Sequence, residues 1–231
     1  VRFMLDRAGF VGADGPTHHG MFDLTYLRMI PNMTIMVPRN GAELRCMIEF
    51  SYNHETGPLA IRYPRGNTAE LDENKIPPLE FGKAQILRKG QNVVLFAVGT
   101  MVEKAEQVAD HLEKLGVYAS VINARFVKPL DEDLIVNLGR DAELLVSLEE
   151  NTIHGGFGSG VLEILSKNRI CIPTLQIGAP DRFIPQGSPE EQLNEAELNV
   201  EQIYGRVLEK LPEVVKKLRK KRTMEHKKRA S

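Results

Sequence analysis

Three short stretches hold residues whose types and spacing could do chemistry. DRAGFVGADGPTHHG, residues 6–20, sets Arg7, Asp14, His18 and His19 among four glycines. Asp14 and His18 stand four apart across a Gly-Pro turn. An imidazole can shuttle protons near neutral pH, and a neighbouring carboxylate can fix its tautomer or raise its pKa. The competing reading has Asp14 capping a turn and His18 on the surface. AIRYPRGN, residues 60–67, brackets Tyr63-Pro64 with Arg62 and Arg65. Proline there favours a sharp exit that turns Arg65 toward a crevice. Arg7 and Arg65 could then hold one phosphate through charge-assisted forks. Surface or interdomain ion pairs are the alternative, and they suit Arg62 best. EENTIHGGFGSG, residues 149–160, carries a glycine run loosely like a dinucleotide-binding turn. No acid lies at the tip of the following IPTLQIGAP to take a ribose. A tight strand-to-helix turn that brings the helix close is the expectation, with His154 facing a cleft or a domain contact.

The elements that must position these groups alternate along the chain. VRFML (1–5) reads as a buried strand already in progress, FDLTYLRMI (22–30) as a short helix and MTIMVP (33–38) as a second strand. Asn40, with Glu43 three residues on, is an N-cap for a helix over 40–54, and GPLAIRYP (57–64) is a third strand. This order is that of a parallel sheet, whose ligands sit outside the carboxyl ends of the strands. RGNTAELDENKIPPLEFG (65–82) breaks the rhythm as a linker. A second α/β unit follows, with strands at 84–90, 92–99, 117–126, 143–151 and 172–180. Helices at 101–115, 131–139 and 156–167 lie between them, and 188–220 reads as helical. Gly116 suits the residue just past the first of these helices. The five strands predict a doubly wound domain.

Composition narrows the class. The 231 residues are 42% hydrophobic and 26% charged, ordinary for a globular chain long enough to bury a core. No Trp and few Phe and Tyr give little basis for a nucleic-acid stacking surface. No apolar run reaches the roughly 18 residues of a membrane span. Cys46 and Cys171 lie in apolar runs without metal-ligand spacing and read as buried free thiols in a reducing cytosol. Net charge is −1, yet Leu211–Ser231 holds nine Lys or Arg against two Glu. That basic tail could touch RNA, a membrane or an acidic partner; a solvated helix end is the preferred reading. Val1 is no initiator and no signal peptide precedes it, so the expectation is a chain taken from a longer polypeptide.

The stretches DRAGFVGADGPTHHGMFDLTYLRMIPNMTIMVPRN and GPLAIRYPRGN closely resemble the 1-deoxy-D-xylulose-5-phosphate synthases, a thiamine-diphosphate-dependent family of the transketolase superfamily. ARFVKPLDEDLI, SLEENTIHGGFGSGV and IGAPDRFIPQGSPEEQ look like the same family's C-terminal domain, and the resemblance runs to about residue 210. It implies an α/β fold: residues 1–66 as the C-terminal half of a pyrimidine-type thiamine-diphosphate-binding domain, 67–82 as linker, 83–215 as a transketolase C-terminal domain and 216–231 as the tail. It implies that pyruvate condenses with D-glyceraldehyde 3-phosphate, losing CO2, to give 1-deoxy-D-xylulose 5-phosphate. Arg7 and Arg65 then resemble the acceptor's phosphate-holding arginines. His18 resembles the histidine contacting the reacting substrate, and Asp14 the acid beside it. The family's GDG…N motif for Mg²⁺ and the diphosphate has no counterpart from Val1 onward, nor does its activating glutamate. Thiamine diphosphate and Mg²⁺ are therefore expected to be bound mainly by regions preceding this chain, and the isolated fragment to be inactive. A homodimer in the cytoplasm, or in a plastid for a plant or alga, goes with this resemblance. The alternatives are a 2-oxoacid dehydrogenase E1 β-type chain and a non-catalytic transketolase-like dimerisation or binding module.

Overall fold

Each β-rich run ended by proline or glycine forms a strand, and each amphipathic stretch between them a helix. The computed structural model describes residues 1–68 and 76–211. The basic tail and part of the expected linker lie outside the described residues.

The first unit contains β1 (Arg2–Leu5), α1 (Asp23–Met29), β2 (Thr34–Met36), α2 (Gly41–Tyr52) and β3 (Leu59–Arg62). β3 lies between β1 and β2, parallel to both. The Asn40 side chain accepts the Glu43 N–H at 2.9 Å, as the helix-start pattern requires. β1 is an edge strand rather than a buried one: Phe3 and Met4 are each 42% exposed. An edge strand has a neighbour on one side only, so its alternating apolar residues find no second partner.

The second unit runs β4 (Gln85–Arg88), β5 (Val93–Ala97), α3 (Met101–Lys114), β6 (Ala119–Asn123), then β7 (Phe126–Lys128) and α4 (Glu132–Asp141). β8 (Leu144–Thr152), α5 (Phe157–Lys167), β9 (Thr174–Ala179), α6 (Pro189–Glu195) and α7 (Val200–Lys210) complete it. Its sheet has the order β4-β6-β5-β8-β9, parallel except for β4. Alternate residues of β5 feed opposite cores. Val93, Leu95 and Ala97 meet α3 and α7, whereas Val94 and Phe96 meet α4, α5 and α1 of the first unit. A sheet covered on both faces explains the near-continuous apolar sequence of β5 and β8.

Two expected elements divide. The strand expected over 117–126 breaks at Arg125, whose φ is +58°. Beyond it, β7 leaves the second sheet and pairs antiparallel with β2, becoming the fourth strand of the first. The break follows from a buried ion pair: Arg125 Nε donates to Glu43 Oε1 at 2.8 Å, with both side chains excluded from water. The stretch 188–220 forms two helices within the described residues, because Ser188 and Asn199 each open a capping box. Cys171 is exposed and Cys46 half-buried, so neither is the fully buried thiol expected.

Candidate active site

The loop from Asp6 to Gly20 leaves the carboxyl end of β1 and returns to its own start. Gly9 and Gly20 exchange N–H···O bonds of 3.0 Å, closing the neck. A Cβ on Gly20 would fall 2.1 Å from the Arg7 carbonyl oxygen, so only glycine lets the two limbs meet. Gly9, at φ +73°, would drive a Cβ to 2.1 Å from Glu150 Oε1.

The second unit holds this loop at three places. Glu150 of β8 accepts the Phe10 N–H at 2.8 Å and the Thr100 hydroxyl at 2.7 Å. Gln192 of α6 grips Gly12 reciprocally, accepting its N–H and donating to its carbonyl, both at 2.9 Å. His19 accepts the Val11 N–H on Nδ1, leaving Nε2 to donate to the Ile184 carbonyl, each at 3.2 Å. Burial pushes the His19 pKa down, which keeps this neutral tautomer.

The predicted residues fall around this frame as follows. Asp14 meets Arg65, Nη1 to Oδ2 at 2.6 Å, and no bond joins it to His18 among the described residues. His18 is exposed, with Nδ1 2.9 Å from the Thr17 hydroxyl. Arg7 lies 3.6 Å from Asp6 at the surface. Arg7 lines a cavity of about 220 Å³ with His19, Phe22 and Tyr26. Arg65 lines another, of about 670 Å³, with Arg39, Asn67 and Glu106. Arg62 forms an ion pair, but a buried one within the first unit rather than the surface or interdomain pair expected: Nε donates to Asp23 Oδ1 at 2.9 Å, and Nη2 to the Gly20 and Glu150 carbonyls. His154 is exposed, and its carbonyl accepts the Thr25 hydroxyl at 2.9 Å.

The glycine run after β8 is a tight turn whose anion site is already filled. The buried Glu149 carboxylate accepts the Phe157 N–H at 2.7 Å and the Gly158 N–H at 2.8 Å. These are groups that a helix N-terminus would otherwise offer a phosphate. Arg28 also donates to the Gly155 and Gly156 carbonyls, fixing the turn against α1.

Sequence reading missed Glu150, Gln192 and His19 as the residues that hold the loop. The signal for the first was two adjacent acids at the end of an apolar strand. Side chains alternate across a strand, so one had to face the helix and the other the loop. Among the described residues, no group of three or more His, Cys, Asp or Glu is arranged to hold a metal ion. No described helix is long and apolar enough to cross a membrane.

Two α/β units joined through β7, with arginine-bearing loops at the carboxyl ends of the parallel strands β1 and β3, define an α/β class in which such strand ends commonly face ligands. Residues 1–70 match the transketolase pyrimidine-binding domain, and residues 82–203 match the transketolase C-terminal domain. The chain belongs to the transketolase family. It is 49% identical over 210 residues to the 1-deoxy-D-xylulose-5-phosphate synthase of Microcystis aeruginosa, covering 90% of this chain and 33% of that protein. With the synthase of the same name from Thermosynechococcus vestitus it shares 47% over 212 residues, covering 91% and 33%. The chain thus spans about a third of the length of these curated relatives. Among solved structures, a split-gene transketolase described as an inactive beta4 tetramer superposes with a TM-score of 0.82 at 30% identity. That match covers 91% of this chain and 67% of the other. A transketolase mutant from Pichia stipitis, at 21% identity and a TM-score of 0.67, shares the fold over 90% of this chain and 29% of its own.

Proposed function

We propose that this chain is the acceptor-handling part of a 1-deoxy-D-xylulose-5-phosphate synthase, which condenses pyruvate with D-glyceraldehyde 3-phosphate, with loss of CO2. The observation that carries the reading is 49% identity to such a synthase across nine-tenths of this chain. In this reading Arg7 and Arg65 take the acceptor's phosphate. Their positions support it, because both follow the carboxyl ends of neighbouring strands and the Ala8 N–H donates to the Tyr63 carbonyl between them. Asp14, held by Arg65, orients an acceptor hydroxyl. His18, exposed on the clamped loop, takes and returns a proton at the reacting end. The clamp by Glu150, Gln192 and His19 keeps these groups in register, which is how a scaffold lowers the entropic part of a barrier.

Thiamine diphosphate and Mg²⁺ are the cofactors of the proposed reaction. The described residues do not fit their diphosphate end: the N–H groups opening α5 are taken by Glu149, and no cluster of metal ligands faces a helix start. The reading therefore assigns that cradle to a part of the enzyme outside this chain, and this chain acts on the acceptor. A cytoplasmic or plastid homodimer goes with it, supported by the apolar side chains left open along β1.

The test is an assay with thiamine diphosphate, Mg²⁺, pyruvate and D-glyceraldehyde 3-phosphate. The chain alone should yield no 1-deoxy-D-xylulose 5-phosphate, and the full-length enzyme that contains it should. In that enzyme Arg65→Ala should raise KM for the phosphorylated aldehyde about tenfold or more with kcat less affected. An unchanged KM removes Arg65 from the phosphate site, and transfer to a lipoyl domain instead of the aldehyde overturns the reading.

A further inference from the structure

The two limbs of the loop between Gly9 and Gly20 are fastened by different chemistry. The outgoing limb has two anchors in the second unit. Glu150 takes the Phe10 N–H, and the Gln192 amide takes the N–H of Gly12 and donates to its carbonyl. The return limb carries the exposed His18. Among the described residues, 16–19 are hydrogen-bonded to the second unit through His19 alone, whose ring also forms a crossbar to Val11 on the other limb.

Both partners of the His19 ring are backbone groups, and a backbone group cannot reverse its role. The Val11 N–H can only donate, so Nδ1 must offer a lone pair; the Ile184 carbonyl can only accept, so Nε2 must carry the proton. One neutral tautomer satisfies both, and a proton added at Nδ1 sets N–H against N–H. The ring stands edge-on to the buried Phe10, centroids 5.1 Å apart, and it lines the cavity of about 220 Å³, through which protons reach it. Burial is the largest influence on its pKa and pushes it below 6.5; the Ile184 carbonyl and the Glu150 carboxylate pull it up, and His18 pushes it down. The other charged groups lining its two cavities are already matched. Asp6 lies beside Arg7, Asp23 of α1 pairs with Arg62, and Arg182 pairs with Glu195. Tyr26 of α1 stays neutral, its hydroxyl pKa pushed further up by burial.

We propose that His19 is a positioning residue built as a latch: its neutral ring fastens the limb that carries His18, and a proton on Nδ1 releases that limb. The outgoing limb stays on Gln192, whose amide does not ionise. A released ring takes the ordinary value of 6.5 and a fastened ring a lower one. The fastening is therefore fully present above 6.5 and is lost as pH falls below it, by up to about tenfold per pH unit. The latch is defined by its hydrogen bonds; its consequence, weaker handling of the aldehyde in acid, rests on the acceptor reading above.

Val11 and Gly12 are adjacent amides that answer to different side chains, one titratable and one not. Their hydrogen exchange, each expressed as protection relative to an unstructured chain at the same pH, is followed from about pH 7.5 to about pH 5. It is measured in this chain and in the full-length enzyme that contains it. Val11 should lose protection several-fold or more below about pH 6.5, while Gly12 keeps its own. His19→Gln offers the same partners one acceptor and one donor without titrating, so its Val11 protection should be flat across the range. His19→Leu should leave Val11 poorly protected at every pH. Equal loss at Val11 and Gly12, no loss at either, or a loss that persists in His19→Gln would overturn the latch. In the full-length enzyme, kcat/KM for D-glyceraldehyde 3-phosphate should fall less steeply with acid in His19→Gln than in the wild type, since ionisation of the substrate's own phosphate is common to both. Identical acid limbs would overturn the positioning role. The acceptor reading fails on a different result, transfer to a lipoyl domain rather than to the aldehyde, which leaves the exchange at Val11 unaffected.

Discussion

Glu149 and Glu150 are adjacent in sequence and do opposite jobs, because successive strand side chains face opposite ways. Glu150 reaches the loop between Asp6 and Gly20 through the Phe10 N–H, and Glu149 caps α5. Burial pushes the Glu149 pKa from 4.5 up to about 7, against the pull of the Gly158 and Phe157 N–H groups and of Arg62 and Arg28. A carboxylate pKa raised on folding contributes stability that is full below the unfolded value and is lost as pH rises through the folded one. The window is therefore 4.5 to about 7, and the loss across it is about 3 kcal/mol. His19 and His54 act in the other sense. Burial lowers both below 6.5, so they favour the folded state above that pH and lose that contribution on acidification. Comparing wild type with Glu149→Gln cancels the histidines. Denaturant melts between about pH 5 and pH 8 should show the wild type losing stability relative to the variant as pH rises. Parallel curves would mean that Glu149 does not titrate in this range. The same scale explains why the structural role of His19 was missed. Sequence spacing favoured His18 through its distance from Asp14, yet a side chain's partners across 165 residues, such as Ile184 for His19, leave no local pattern.

Elements were legible wherever a local rule decided them. Asn40 and Gly116 marked helix ends correctly, since caps depend on neighbours within a turn. The strand over 117–126 was misjudged because its break serves Glu43, about 80 residues away. Glycines divide along the same line. Gly156 opens α5, and a Cβ there would lie 2.2 Å from Glu149 Oε2 and 2.6 Å from the Thr152 carbonyl oxygen. Gly205 sits inside α7 with nothing within 4 Å of its would-be Cβ. Gly205→Ala should raise stability by about 0.5–1 kcal/mol, by removing unfolded-state freedom at no steric cost. Gly156→Ala should lower it by about 1–3 kcal/mol through overpacking against backbone and a buried carboxylate. Chemical denaturation of the two single variants measures both, and equal signs would refute the packing account of α5.

At the scale of the molecule, the two sheets are joined by one strand and one buried charge cluster, in addition to the loop clamp and the core that α1 shares with α4 and α5. β7 belongs to the second unit in sequence and to the first in space, and Arg125 sits at the point of exchange. Its guanidinium donates to Glu43 of α2 and to Gln85 of β4, while Asn123 of β6 donates to the same carboxylate. Glu43 and Arg125 are 0% and 4% exposed, so each depends on the other for compensation. Removing one member of a buried pair costs about 3–5 kcal/mol, because the survivor keeps its desolvation cost without its partner. Arg125→Ala should therefore lose that amount, and it should also weaken the link between the sheets. Scanning calorimetry of the wild type should give one cooperative transition, and of Arg125→Ala two, the first sheet unfolding earlier. Arg125 also holds φ +58°, where a residue with a Cβ is strained, so Arg125→Gly should recover about 1 kcal/mol of the loss. Replacing both partners, Glu43→Met with Arg125→Met, removes the stranded charge and should restore much of the single-variant loss. A single transition in Arg125→Ala, shifted by less than the cost of an exposed ion pair, would mean that the remaining contacts join the sheets without it. The loop between Asp6 and Gly20 spans the two units: Phe10, Gly12 and His19 are held by the second unit while Arg7 and Arg65 ride on the first. A chain whose sheets separate should thus lose hydrogen-exchange protection of the Phe10 and Gly12 amides at the temperature where the first transition begins, before its second sheet unfolds.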